Sequence, residues 1–202
     1  MKKLLILLAF VPMLSYGQFS KGTKFVGGNF TINTYNYQGS QSNYGLNTYL
    51  ALNGNLGFFI SESFAIGPDL KVISNTQEYT DPFTNESEKF KESNILGGIF
   101  ARKFFPISEM FLFSVEGKGM VGNSKQNAAF GREEVSETSL HIGFRPIFTF
   151  LPTKRWAFDA GIGEISFNKN IQNISNNANV FNLRLGHLTL GVNYFFNRKV
   201  EE

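Results

Sequence analysis

Residues 47–60 read Asn47-Thr48-Tyr49-Leu50-Ala51-Leu52-Asn53-Gly54-Asn55-Leu56-Gly57-Phe58-Phe59-Ile60. Leu50, Leu52, Gly54, Leu56, Phe58 and Ile60 share one parity; Asn47, Tyr49, Ala51, Asn53, Asn55 and Gly57 share the other. Successive side chains of a strand point to opposite faces, so this run predicts a β-strand with one greasy and one polar side. It is longer than the usual globular strand of about 5–6 residues and suits a tilted membrane strand, which needs about 9–11.

The pattern returns along the chain. Phe64, Ile66, Pro68, Leu70 and Val72 oppose Ala65, Gly67, Asp69 and Lys71. Phe111, Phe113, Val115, Gly117, Gly119 and Val121 oppose Ser114, Glu116, Lys118 and Met120. Leu140, Ile142, Phe144, Pro146, Phe148 and Phe150 oppose His141, Gly143, Arg145 and Thr149. Eight segments emerge, at about 24–36, 46–60, 64–76, 92–105, 111–122, 139–151, 156–167 and 181–196. Three connections are tight, at 61–63, 106–110 and 152–155; four are long and polar, near 37–45, 77–91, 123–138 and 168–180. An even strand count with alternating short and long connections predicts an all-β, eight-stranded antiparallel up-and-down transmembrane β-barrel. The short turns and both chain ends then lie on the periplasmic side.

Charge decides which face looks outward. The ionisable residues of these segments oppose the Leu/Ile/Val/Phe rows, and a Lys or Arg facing the lipid midplane costs about 2–4 kcal/mol. The apolar rows are therefore expected outside. A soluble periplasmic ligand-binding barrel, the rival on fold, needs the inverse arrangement.

The chain opens with Lys2-Lys3, an apolar run from Leu4 to Leu14, and Ser15-Tyr16-Gly17. This order predicts a secretory signal peptide over 1–17, cut after Gly17, with the barrel domain over 18–202. The leader holds two of the 19 Lys and Arg, leaving 17 against 16 Asp and Glu. That balance gives no basis for a nucleic-acid partner. The 23 Phe, 7 Tyr and 20 Gly suit tightly packed, frequently turning strands, and the lack of Cys excludes disulfides, thiolate metal sites and cysteine nucleophiles.

Phe58, Phe59, Phe64, Phe104, Phe105, Phe111, Phe150, Trp156, Tyr194 and Phe196 cluster beside the short turns or the carboxyl end, and are expected to form a periplasmic aromatic girdle. Thr189, Gly191, Tyr194 and Phe196 resemble the carboxyl-terminal assembly signal of outer-membrane barrels, although Asn197 to Glu202 follow the final ring. The run from Asn55 to Gly67, Ala101 to Pro106, and the stretch from Gly143 through Arg145-Pro146 to Trp156 and Gly163 resemble the outer-membrane β-barrel domain family of Bacteroidota. The resemblance spans about 23–196. It implies a porin-like barrel and supplies no catalytic residues.

Asp69, Lys71, Arg102, Glu116, Lys118, Arg145 and Asp159 take the inward phase and are expected to form an ion-pair network in the lower or middle lumen. Glu116 should be flanked by Arg102 and Arg145. An eight-stranded bore is filled by side chains, so the network reads as a plug; a small porin or gated channel is the alternative. His141 with Ser139 and Glu137 nearby is the sole hint of a lipid-modifying enzyme, and two-residue spacing on a strand makes no triad. His187 is equally a candidate interior histidine. Gly27-Gly28 and Gly97-Gly98 lack the helix and lysine of a phosphate loop and read as close strand contacts. Pro68 and Pro146 each remove a ladder donor, which local bulges could absorb. Phe181, Leu183 and Leu185 differ in parity from Leu188, Leu190 and Val192, which predicts a bulge at Gly186-His187 turning Arg184 inward. Tyr79, Phe83 and Phe90 among the charges of 77–91, the Asn-rich 168–180, and Arg132-Glu133-Glu134 make the long loops the natural interaction surface.

The resulting expectation is a monomeric outer-membrane barrel with a structural or surface-interaction role. It needs no metal or cofactor; its partners are outer-membrane lipid, lipopolysaccharide and the barrel assembly machinery.

Overall fold

A computed structural model describes residues 19–38, 44–80, 87–127, 135–171 and 179–196. The chain forms eight strands: β1 (Lys24–Gln38), β2 (Tyr44–Ser61), β3 (Phe64–Thr80), β4 (Ser87–Pro106), β5 (Phe111–Gln126), β6 (Val135–Phe150), β7 (Trp156–Asn170) and β8 (Asn179–Phe196). Each pairs antiparallel with its sequence neighbours, and β8 pairs with β1 to close the barrel. Closure matters because a free sheet edge leaves a row of unpaired backbone donors and acceptors.

The short turns fall where expected. Thr153 Oγ1 accepts from the backbone N–H of Arg155 and Trp156, at 3.2 and 2.9 Å, and so folds the β6–β7 turn on itself. At the other end the strands run further than period two indicates. β4 begins at Ser87 rather than 92, and β3 continues to Thr80 rather than 76. Beyond the apolar belt both faces of a strand are polar, so alternation disappears while the backbone ladder continues. The tips of the long loops, with Phe83 and Arg132-Glu133-Glu134, lie outside the described residues, as do 1–17.

Orientation follows the charge argument. Leu52, Leu70 and Val115 are 52%, 54% and 41% exposed on the outer wall, whereas Glu116 and Lys118 are 2% and 7% exposed inside it. A water-soluble barrel has the reverse.

The two prolines are absorbed differently. Pro146 pairs with Val115 on the β5 side, and on the β7 side it stands in a register shift between Phe144 and Ile147. Pro68 pairs with Ile99 of β4, while toward β2 the ladder lapses at Leu56-Gly57 and resumes without a shift. Gly67 is required there: a Cβ would sit 1.7 Å from the Leu56 carbonyl oxygen.

The phase slip in β8 is a bulge. Between the pairs Ile162↔Leu188 and Glu164↔Arg184, three β8 residues stand opposite Gly163 alone. Gly163 has φ +73°, a left-handed conformation that glycine adopts without penalty. The bulge returns Arg184 to the inward parity shared with Asn182.

Candidate functional site

The lumen is the chemically distinctive region, and it is filled in layers. Its floor, at the end of the short turns, is aromatic. Phe19, Phe25, Phe59, Phe100, Phe104 and Phe195 are buried against one another with Ala65, Leu112, Leu151 and Ala157. Phe19 stacks on Phe59 and Phe195 with ring centroids 4.3 and 5.0 Å apart. Phe25 lies over Gly57, its cross-strand partner, where a Cβ would come within 2.0 Å of the ring. A glycine under an aromatic ring lets a bulky residue fit a narrow bore.

This corrects the girdle. Phe59 and Phe104, each 2% exposed, belong to the floor and not to the outer belt. Their parity is decisive: Phe59 follows Asn53, Asn55 and Gly57, and Phe104 follows Arg102. Nearness to a turn sets height along the barrel, not the face. Trp156, Phe58, Phe111 and Phe196 do lie outside, and Trp156 meets Tyr194 edge-on at 5.0 Å.

Above the rings lies a charged deck. Arg102 Nη1 donates to Asp159 Oδ2 at 2.7 Å, Nη2 to Thr149 Oγ1 at 2.9 Å and Nε to Ser114 Oγ at 2.9 Å. Asp159 also accepts from Thr149 Oγ1 at 2.6 Å and Asn193 Nδ2 at 2.8 Å. Arg145 meets Glu116 Oε1 through Nε and Nη2, both at 2.8 Å. Lys118 Nζ lies 3.5 Å from Asp69 and 3.7 Å from Glu116. Asn53 donates to Asp69 and to the Leu70 carbonyl, and accepts from Asn29 at 3.0 Å. The Arg102 guanidinium also sits 4.7 Å from the centre of the Phe104 ring, so one residue joins deck to floor.

Six of the seven residues named for the interior network therefore lie in ion pairs, with one rearrangement. Arg102 and Glu116 are cross-strand neighbours, yet Arg102 reaches across the bore to Asp159 and leaves Glu116 to Arg145 and Lys118. Lys71 stands apart, with no carboxylate within 4.0 Å among the described residues. Asn29, Asn53, Ser114, Thr149 and Asn193, outside the charged set, complete the hydrogen bonding. Their inward parity was visible, but neutral polar residues are common on any strand.

Higher in the bore, His141 Nδ1 lies 2.7 Å from Asn168 Oδ1, and Nε2 lies 3.2 Å from Glu164 Oε1. The carboxylate beside this imidazole is on β7; Glu137 of its own strand instead accepts from Asn170 at 2.7 Å. Of the carboxyl-terminal pattern, Thr189 and Gly191 face inward with Asn193 and Phe195, while Tyr194 and Phe196 touch at 5.1 Å. Gly191 passes close to β1: a Cβ there would lie 2.9 Å from the Gly28 carbonyl oxygen.

A closed deck over a closed floor blocks the bore. A hollow between Arg102, Arg145, Asp159, Asn29 and Asn55 has room for roughly one water. Asn55 Oδ1 there is buried without a partner among the described residues, a fitting acceptor for that water.

No family model and no curated protein sequence matches the chain. Solved structures do. The amino-terminal β-barrel domain of Pseudomonas aeruginosa OprF matches with a TM-score of 0.50 at 9% identity, over 88% of this chain and 99% of that one. Neisserial surface protein A matches with a TM-score of 0.49 at 18% identity, over 86% and 96%. The outer membrane protein OprG of Pseudomonas aeruginosa matches with a TM-score of 0.41 at 10% identity, over 89% and 98%. These neighbours are outer-membrane β-barrels, and likeness at such identities speaks to the fold.

Proposed function

We propose that the mature chain spans a bacterial outer membrane as a closed, monomeric barrel whose role is structural or surface-interactive, of the kind the hairpin at 55–67 resembles in Bacteroidota. The observation that carries this reading is the inversion of the wall: aliphatic and aromatic side chains outside, paired charges within. A bilayer is the solvent that such an outside fits, and a filled bore favours scaffolding over transport. The leader at 1–17 would direct export. Thr189, Gly191, Tyr194 and Phe196 would address the assembly machinery, and the long loops would meet lipopolysaccharide or partners outside the cell.

Three measurements test it. Protein refolded into detergent should migrate as a heat-modifiable band, and the folded form should insert into liposomes. In planar bilayers it should carry no steady current. Sustained single-channel steps would instead support the small-channel reading, with Glu116→Gln raising the current if the deck is its gate.

A further inference from the structure

The barrel is not sealed equally all the way round. β1 pairs with β2 along its whole length, from Lys24↔Phe58 to Gln38↔Tyr44. With β8 it pairs only from Lys24↔Phe196 to Phe30↔Leu190. Above that point both strands continue, β1 to Gln38 and β8 down the sequence to Asn179, without pairing to each other. The bulge opposite Gly163 lies just above the last pair and carries β8 off the line that β1 follows.

The surroundings of this gap are amphipathic. On the outer side stand Ile32, Leu188 and Leu185, the last 82% exposed and the most exposed large apolar residue described. On the inner side Asn33 and Arg184 take the inward parity and are nevertheless exposed, as expected where a wall is missing. Two cations here have no ion-pair partner among the described residues. Asp159, Glu116 and Asp69 stand against Arg102, Arg145 and Lys118 respectively, while Glu164 faces the His141 imidazole, Glu92 accepts from Ser124 and Glu137 from Asn170. Lys71 and Arg184 have no carboxylate within 4.0 Å among the described residues, and they lie within electrostatic reach of each other. Glu164 is the cross-strand partner of Arg184 and lies within electrostatic reach of Lys71, but its carboxylate is turned to His141.

Unpaired backbone donors in hydrocarbon cost several kcal/mol each, so a membrane barrel keeps such edges only where water or a polar guest meets them. The guest must be apolar outside the seam and anionic inside it. We propose that the β1–β8 seam above Phe30 and Leu190 is a lateral binding site for a long-chain carboxylate that enters from the membrane. Its head group lies toward Lys71 and Arg184, and its alkyl chain leaves between Ile32 and Leu185. This rests on the membrane reading above. The cations supply the head-group attraction, and the exposed leucines extend the apolar belt to the opening.

The experiment uses the mature protein folded in zwitterionic bicelles, with dodecanoate as the probe. At 31–34 and 185–189 the amides that point into the seam should exchange fast and those bonded to β2 or β7 slowly, while 26–30 should be slow throughout. Dodecanoate should bind saturably, while acetate and dodecyltrimethylammonium should neither bind there nor compete. Lys71→Gln and Arg184→Gln should each weaken binding about tenfold, roughly one charge-assisted hydrogen bond. A cross-link between Ile32→Cys and Leu188→Cys, which the register would set opposite one another, should abolish binding while leaving the heat-modifiable band intact. Slow exchange along both edges, equal affinity for the cationic chain, or binding that survives the cross-link would each overturn the site in an otherwise intact membrane barrel. A protein that neither shifts on heating nor enters bilayers would overturn the membrane reading and the site with it.

Discussion

Two adjacent layers close the same bore by opposite chemistry. The floor around Phe25, Phe59 and Phe195 is shut by rings that need only shape and the exclusion of water. The deck around Arg102, Glu116 and Asp159 is shut by ions, each of which loses hydration and must recover it from partners. Apolar filler stabilises by every contact it makes, whereas buried charge is tolerable only when the set is complete. Arg102 shows how complete: three nitrogens, three acceptors, and a ring beneath.

The largest effect should come from the floor. Phe59→Ala removes a side chain that contacts Phe19, Phe25, Phe104 and Phe195. A cost of about 3–5 kcal/mol is expected for such a truncation. Denaturant titration of the folded band in detergent would measure it. A loss below about 1 kcal/mol would mean that the rings are not packed as a unit.

The deck should respond differently. Arg102→Met strands Asp159 in the bore and should cost about 3 kcal/mol in the same titration. Adding Asp159→Leu removes the stranded charge, and the double variant should recover most of the loss. That recovery separates the layers, because no second truncation could rescue Phe59→Ala. A double variant as weak as the single would show the pair to be a net source of stability rather than a matched set.

How far the sequence exposes this contrast depends on the kind of side chain. Strand parity is a strong signal wherever one face meets an apolar medium, so Leu50 to Ile60 and Phe111 to Val121 read correctly. The charged inward set stands out because Arg102, Glu116 and Arg145 fall on the parity opposite the apolar rows. Phe59 and Phe104 are ambiguous because a ring suits both an interfacial belt and a core. Only parity separates those places; nearness to a turn does not. The exchange of partners by Arg102 was not legible at all. It depends on reach across a closed bore, and neighbouring strands say nothing of who faces whom over the lumen. The bulge at Gly186-His187 could be placed because it forces a parity change; the unpaired seam beside it leaves no mark on either strand's own pattern.

A smaller effect tests the wall between inside and out. Lys71 faces the bore and its neighbour Leu70 faces outward, 54% exposed. Leu70→Lys puts the same ammonium group on the lipid side and should cost about 2 kcal/mol for a barrel folded in phospholipid vesicles. In detergent the penalty should shrink, because a micelle lets the group reach water more readily. An equal penalty in both media would attribute it to local packing instead of the bilayer.

The smallest effect sets the ion pairs of the deck against one outside the bore. Glu78 and Lys89 are cross-strand partners on β3 and β4, with Nζ and Oε1 3.7 Å apart. Their side chains are 34% and 67% exposed, so water already solvates both ions and screens their attraction. Glu78→Gln should therefore change stability by no more than about 0.5 kcal/mol. Glu116→Gln, which deprives Arg145 and Lys118 of a buried counter-ion, should cost several times as much. The two variants delete the same charge from the same kind of strand, so their ratio measures what removal from water adds to an ion pair. A ratio near one would mean that the deck is wet, and with it the bore.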